Sequence, residues 1–219
     1  MMSDAPQSEI HAICERWSGQ LQTMDDENER IEYIRSVLPP LMADRQLWIR
    51  ILQSVLGGGS YPDLRQATMF RDEMILYPNH KRLFSLRLFI YDSEVYTPIH
   101  DHNAWGVIGS VSGPLEIVRY RREDDGSDDR FAQLRLDDRY VLAPGQTDVT
   151  YPLDDGIHQT GNPEKGASIM LSVYGNPIRR LYIHRFDLES NRVYRMYPPR
   201  MQKKKLADRA LEALTASAP

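Results

Sequence analysis

His100 and His102 stand two residues apart in the stretch Thr97-Pro98-Ile99-His100-Asp101-His102-Asn103-Ala104-Trp105-Gly106. Side chains on an extended strand repeat with period 2, so one strand presents both imidazoles on the same face. A second stretch, from Pro144-Gly145 to His158-Gln159-Thr160-Gly161-Asn162, supplies a third. Neutral imidazole nitrogen is a good ligand for iron, copper, nickel and zinc. Three imidazoles from two separated segments can cap one face of an ion and leave its other positions open. They also leave its double positive charge uncancelled, which favours an anion such as a thiolate or carboxylate in an open position. The pattern predicts a metal held by His100, His102 and His158.

The other three of the six histidines have ordinary settings. His11 is expected on an exposed helix face, His80 in the loop Pro78-Asn79-His80-Lys81, and His184 beside Ile183 on a late strand. Asp101 lies between two ligands and must point away from both, as an outward hydrogen-bond acceptor. Cys14 is the only cysteine; it excludes an intramolecular disulfide, fits a reducing cytoplasm, and reads as a small buried hydrophobe. A net charge of −4, with 41% hydrophobic and 26% charged residues, is that of an ordinary soluble protein. It leaves no footprint for nucleic acid or an anionic membrane, and Lys203-Lys204-Lys205 read as a solvated face. The polar start, Met1 to Pro6, has no signal-peptide character, and no apolar run approaches the roughly 20 residues of a membrane span. The acidic run Glu123 to Asp129 is expected to be a solvated hairpin tip, because clustered carboxylates need a cation only when buried. Monomer and homo-oligomer both stay open.

The elements that must position these residues divide the chain in three. Residues 1–60 read as a helical segment packing on a barrel, 61–200 as the barrel, and 201–219 as a tail with a short helix carrying Leu206, Ala210 and Leu214. In the first part, Ile10, Ile13 or Cys14, Trp17 and Leu21 give an apolar stripe over 7–22. Thr23 to Asp26 caps a second helix carrying Ile31, Ile34 and Leu38, which Pro39-Pro40 is expected to break. A third, from about Leu41 to Leu56, buries Leu47, Trp48, Ile51, Leu52 and Val55, and Gly57-Gly58-Gly59 ends it. The period then changes to two: Phe84, Leu86, Leu88 and Ile90 alternate with Ser85, Arg87, Phe89 and Tyr91. Further short strands are predicted at 94–99, 100–111, 114–121, 130–136, 138–143, 146–152, 166–174, 179–186 and 191–197. Turn signals such as Pro144-Gly145 and Asp154-Asp155-Gly156 separate them. Many short strands with frequent turns and no intervening helices predict a sandwich or barrel.

His100-Asp101-His102, running on to Gly113, resembles the first cupin motif, and Pro144-Gly145 with His158 and Asn162 resembles the second. The glutamate usual in the first motif is missing; Asn103, Ala104, Trp105 and Gly106 occupy that stretch. The three-histidine variant is characteristic of thiol dioxygenases. Thr97-Pro98-Ile99-His100-Asp101-His102 followed by Trp105-Gly106-Val107 is similar to the bacterial cysteine dioxygenase and 3-mercaptopropionate dioxygenase group, over roughly residues 10–200. The resemblance is specific for a cupin and less so for one substrate.

The resemblance implies a mainly β cupin double-stranded β-helix, a jelly-roll-like barrel behind an N-terminal α-helical segment. It implies a non-haem Fe(II) that binds a small thiol and O2 and delivers both oxygen atoms to sulfur, giving a sulfinate. Tyr174 aligns with the active-site tyrosine. That tyrosine usually ends a serine–histidine–tyrosine relay, which here reads Met170, Ser172 and Tyr174. Ser172 can accept a hydrogen bond but cannot hold a proton near neutral pH as imidazole does. Arg71 is the best match to the arginine that pairs with the substrate carboxylate, and Arg87 on the alternating strand is its rival. Gly106 aligns where mammalian-type enzymes carry the cysteine cross-linked to tyrosine, so no Cys–Tyr thioether is expected. Trp105 is expected to pack beside the metal strand, and Asn162 to tie down the loop carrying His158. The altered relay keeps open a metal-dependent cupin dioxygenase or hydrolase acting on a non-thiol anion, and a non-enzymatic ligand-binding cupin.

Overall fold

The computed structural model describes residues 5–216, and of residues 5 and 212–216 only the backbone. Met1 to Asp4 and the side chain of Leu214 lie outside the described residues.

Three helices come first: α1 (Ala5–Leu21), α2 (Glu27–Met42) and α3 (Arg45–Leu56). The stripe Ile10, Cys14, Trp17 and Leu21 is buried throughout. Asp26 and Asp44 cap the next two helices, accepting from the backbone N–H groups of Glu29 and Leu47 at 3.0 Å each. The third helix therefore starts at Arg45, not Leu41. Its buried face holds Leu47, Trp48 and Ile51, while Leu52 and Val55 are only half-buried. Pro39 and Pro40 do not break α2 but sit inside its last turns. Each proline removes a donor from a carbonyl four residues back, and here those carbonyls belong to Arg35 and Ser36, both exposed to solvent. Leu38 before them and Leu41 and Met42 after them are buried, and the Trp48 indole donates to the carbonyls of Leu41 and Met42 at 3.1 Å each. Tertiary packing thus outweighs the local proline penalty.

Eleven strands follow among the described residues: β1 (Glu73–Pro78), β2 (Phe84–Tyr91), β3 (Ile99–His102), β4 (Gly106–Ser112), β5 (Leu115–Arg122), β6 (Leu134–Leu142), β7 (Thr147–Thr150), β8 (Leu153–Gly161), β9 (Ser168–Gly175), β10 (Ile183–Asp187) and β11 (Arg192–Met196). They pair antiparallel in two sheets, β1-β2-β9-β4-β7 and β11-β10-β3-β8-β5-β6. A C-terminal helix, α4 (Pro199–Ala216), ends the described chain, with Leu206 and Leu211 exposed. Among the described residues no helix is long and apolar enough to cross a membrane.

Both faces of the first sheet are covered. Phe84, Leu86 and Leu88 on β2 share one core with the helices, whereas Phe89 and Tyr91 meet Ile108, Ile117 and Met170 in the barrel interior. Strand alternation thus sends Arg87 inward with Phe89.

Several boundaries differ from the sequence expectation. β1 has no predicted counterpart. The predicted strands 130–136 and 138–143 are one strand, β6. The predicted 100–111 breaks at Asn103 to Trp105 into β3 and β4, which lie in different sheets. The predicted 94–99 holds only a bridge, Tyr96 to Gly161, before β3. Asp154-Asp155-Gly156 is not a turn but the start of β8; the chain reverses just before it, where Leu153 takes φ 61°. Gly156 is there for close approach, since a Cβ would lie 1.8 Å from the Tyr151 carbonyl oxygen.

Candidate metal centre

β3 lies between β8 and β10, with His100 opposite His158 on one side and Arg185 on the other. Because β3 is extended, His100 and His102 turn inward together. β8 extends through what the sequence marked as a turn, which places His158 on a strand in register with them. All three histidines are buried, and one nitrogen from each lies within 4.8 Å of the others. Nε2 of His102 and Nε2 of His158 are 2.8 Å apart. Two adjacent ligands on bonds of ~2.1 Å at right angles would be about 3 Å apart, so the pair is set for a shared ion.

Protonation fits the same reading. Nδ1 of His100 is 2.8 Å from the Pro98 carbonyl, which can only accept. The ring proton therefore sits on Nδ1, and Nε2 carries the lone pair. Burial lowers the His100 pKa from 6.5 to about 4. Burial first, then mutual repulsion within the trio, holds His102 and His158 well below 6.5. Three buried neutral imidazoles with converging nitrogens are a donor set for a divalent transition metal. No carboxylate is among the grouped ligand atoms.

His100 and His102 line a cavity of about 660 Å³, together with Phe70, Glu73, Arg87, Phe89 and Tyr174. The Tyr174 ring stacks on His102, centroids 5.6 Å apart and planes at 26°. Burial, reinforced by the Glu73 carboxylate, pushes its phenol up to about 12, so it stays protonated. Gly106 faces that ring: a Cβ there would lie 2.8 Å from Tyr174 Cδ1 and Cε1. The position matched to the cross-linking cysteine is thus in contact with the tyrosine. Ser172 is fully buried, and its Oγ has no hydrogen-bond partner.

Arg71 is not in this cavity; it is exposed before β1 and borders a separate depression. Arg87, its rival, lines the cavity instead. Its Nη1 meets the buried Glu73, its Nε donates to Ser85 Oγ at 3.0 Å, and its Cζ lies 5.3 Å from the centre of the Tyr174 ring. Glu73 is held in turn by the backbone N–H groups of Met69 and Phe70 at 3.0 and 3.1 Å. Sequence reasoning did not single out Glu73; the signal was one carboxylate at the edge of an apolar run, which many strands carry.

Asp101 points away from the cavity and is buried, not outward. It takes two hydrogen bonds of 2.8 Å from Arg180 and accepts from the backbone N–H of His184 at 2.6 Å, with His184 Nδ1 at 3.0 Å. Burial alone would raise its pKa, but the donors from His184 and Arg180 hold it below 3.8. His184 thus belongs to the strand behind the centre. His80 is exposed, and His11 is exposed with its ring 5.3 Å from that of Tyr77. Trp105 packs over Gly175, where a Cβ would lie 2.2 Å from the indole. Asn162 fixes the turn after β8, donating to the carbonyls of Gly166 at 2.8 Å and Asp92 at 3.3 Å, and His158 is carried by the strand β8 itself, not by a loop.

Fold and site together define a class: a mainly β double-stranded β-helix of the cupin type, with an N-terminal helical segment and a buried three-histidine group able to hold a metal. No protein-family model matches the chain. Among solved structures it is similar to a cupin 2 conserved barrel domain protein from Rhodopseudomonas palustris, at 13% identity and TM-score 0.40 over 53% of this chain and 67% of that one. It is also similar to the polyketide cyclase RemF from Streptomyces resistomycificus, at 17% identity and TM-score 0.40 over 59% and 84%. A third is the DMSP lyase DddQ from Ruegeria pomeroyi, at 14% identity and TM-score 0.36 over 55% and 56%. At such distances no residue's role transfers to this chain.

Proposed function

We propose that the protein is an Fe(II)-dependent thiol dioxygenase acting on a small carboxylate-bearing thiol of the cysteine or 3-mercaptopropionate class. The supporting observation is the convergence of three buried, neutral imidazoles with no carboxylate among their grouped ligand atoms, two of them, His100 and His102, lining a cavity that also holds Tyr174 and Arg87. His100, His102 and His158 hold the iron, and their neutrality leaves it a net charge that attracts a thiolate. Bound there, the iron would lower the thiol pKa and keep sulfur and O2 adjacent. The overall change is RS⁻ + O2 → RSO2⁻, in which sulfur gives up four electrons and both oxygen atoms end on it.

The chain's own part is recognition and orientation. Arg87 pairs with the substrate carboxylate: Glu73 and Ser85 occupy Nη1 and Nε, and Nη2 keeps its hydrogens for a ligand. Tyr174, protonated at neutral pH, donates a hydrogen bond toward the substrate or oxygen beside His102. The burial of all three imidazoles excludes bulk water from the inner cavity.

A second reading, a metal-dependent enzyme acting on a non-thiol anion, is favoured by Met170 and Ser172 standing where a relay would need serine and imidazole. Anaerobic loading with Fe(II), followed by oxygen-electrode assays, separates the two. Cysteine, 3-mercaptopropionate and cysteamine are compared with diketones and phenols. The expected result is one O2 per thiol and none in H100A; no thiol consumed above the H100A rate rejects the proposal.

A further inference from the structure

The cavity is much larger than the thiols just named need. Sites of roughly 300–1,000 Å³ take drug-sized molecules, whereas 3-mercaptopropionate has about six non-hydrogen atoms. At about 660 Å³ the cavity lies well inside that range. Its inner end is polar, with the imidazoles, Tyr174 and the Arg87–Glu73 pair. Its outer wall carries an apolar strip: Pro177, Ile178 and Leu181 line it, and Ile178 and Leu181 are 40% and 68% exposed. Aliphatic side chains bared to water along the wall of a deep cavity gain most if a ligand covers them.

We infer that the substrate is an elongated amphipathic acid whose polar, metal-binding end lies among the histidines and whose apolar body runs outward over Ile178 and Leu181. The orientation rests on the reading of the metal centre given above; the apolar body rests on the cavity's size and outer wall alone. Arg82 and Arg179 also border this cavity, so its mouth is cationic and draws an anion in.

The test is calorimetric titration of the metal-free chain, and of the Fe(II)-loaded chain under nitrogen, with 3-mercaptopropionate, 3-mercaptohexanoate, 3-mercaptooctanoate and octanoate, a series that keeps thiol and carboxylate at one end and lengthens only the alkyl tail. Each buried methylene contributes up to about 0.8 kcal/mol, roughly two- to fourfold in affinity after ordering losses. Affinity is expected to rise at least about 30-fold from the three-carbon to the eight-carbon thiol, and this gain is expected to collapse in L181D and I178D. These side chains are exposed, so the variants fold. Affinities flat within twofold across the series, or a gain that persists in both variants, overturn the inference. Oxygen uptake is read separately. A length-dependent gain without thiol oxidation keeps the apolar subsite and rejects the dioxygenase, whereas oxidation of the short thiol without that gain does the reverse.

Discussion

Burial gives His100, His102 and His158 their ligand chemistry, and the same burial sets their pH behaviour. An imidazole with a folded pKa of about 4 against 6.5 unfolded is neutral in the native state, while the unfolded chain protonates. Between these values the unfolded state binds more protons, so stability is full above 6.5 and falls as the pH falls toward 4. The metal-free protein is therefore expected to lose denaturant resistance more steeply from pH 7.5 to 5 than H100L does. Parallel midpoints for the two proteins would contradict the buried neutral state. The same shift removes proton competition for the ligands, so the metal dissociation constant should change by less than about threefold between pH 7.5 and 6.0 in a chelator competition. Gly106 makes a different point at this scale. A methyl there would meet the Tyr174 ring at 2.8 Å and Thr150 Cγ2 at 2.9 Å, and overpacking of this kind costs about 1–3 kcal/mol. G106A should lower the unfolding free energy by that amount and displace the Tyr174 ring, seen as a change in its NMR ring resonances.

At the scale of elements, α2 shows how tertiary contacts overrule a local signal. Its last carbonyls depend on the indole of Trp48, which donates to both Leu41 and Met42. W48F keeps most of the apolar volume; the Leu41 carbonyl still accepts from the Asp44 N–H at 3.2 Å, but the Met42 carbonyl loses the indole, which costs about 1–3 kcal/mol. Urea unfolding of W48F should show a loss of that size, and an unchanged midpoint would mean that the last turn holds without the indole. The strand assignments fail and succeed for related reasons. The clustering of the three histidines was legible because spacing of two on a strand needs only the pleat, and because the residue type is rare. The position of His158 within β8 was not, because Asp154-Asp155-Gly156 has turn composition while Gly156 serves a close approach to Tyr151. Arg71 was favoured over Arg87 because linear alignment carries no inward or outward sense. The alternation of Ser85, Arg87 and Phe89 carried that sense, and it becomes decisive only once helices are known to cover the other face of β2. Asp101 read as outward because its partners, Arg180 and the backbone of His184, lie 79 and 83 residues away.

At the scale of the whole molecule, the cavity exists because the chain leaves one sheet at the end of β9 and enters the other at β10, and the crossing segment, residues 176–182, forms its outer wall. This wall is pinned to the back of the metal strand. Arg180 forks onto Asp101, its Nε donates to Asn103 Oδ1 at 2.5 Å, and the Asn103 amide donates to the carbonyls of Arg180 and Tyr182 at 3.0 and 2.9 Å. The side chains of Asp101 and Arg180 are 1% and 12% exposed, so the pair is buried and removing one partner strands the other. Such losses run to about 3–5 kcal/mol. D101N and R180L are each expected to destabilise the metal-free protein by about this much. The double variant should cost clearly less than the sum, because no charge is then left alone, and a coupling of at least about 1 kcal/mol should remain in the cycle. Since Asp101 is not among the residues lining the cavity, faster metal release in D101N must come through loosening of β3 and the wall beside it. Chelator-driven release should therefore quicken in both single variants while the visible spectrum of the Co(II)-loaded variants stays that of the Co(II)-loaded wild type. Additive free energies in the cycle, or release rates equal to wild type, would show that the wall stands without its tie to the metal strand.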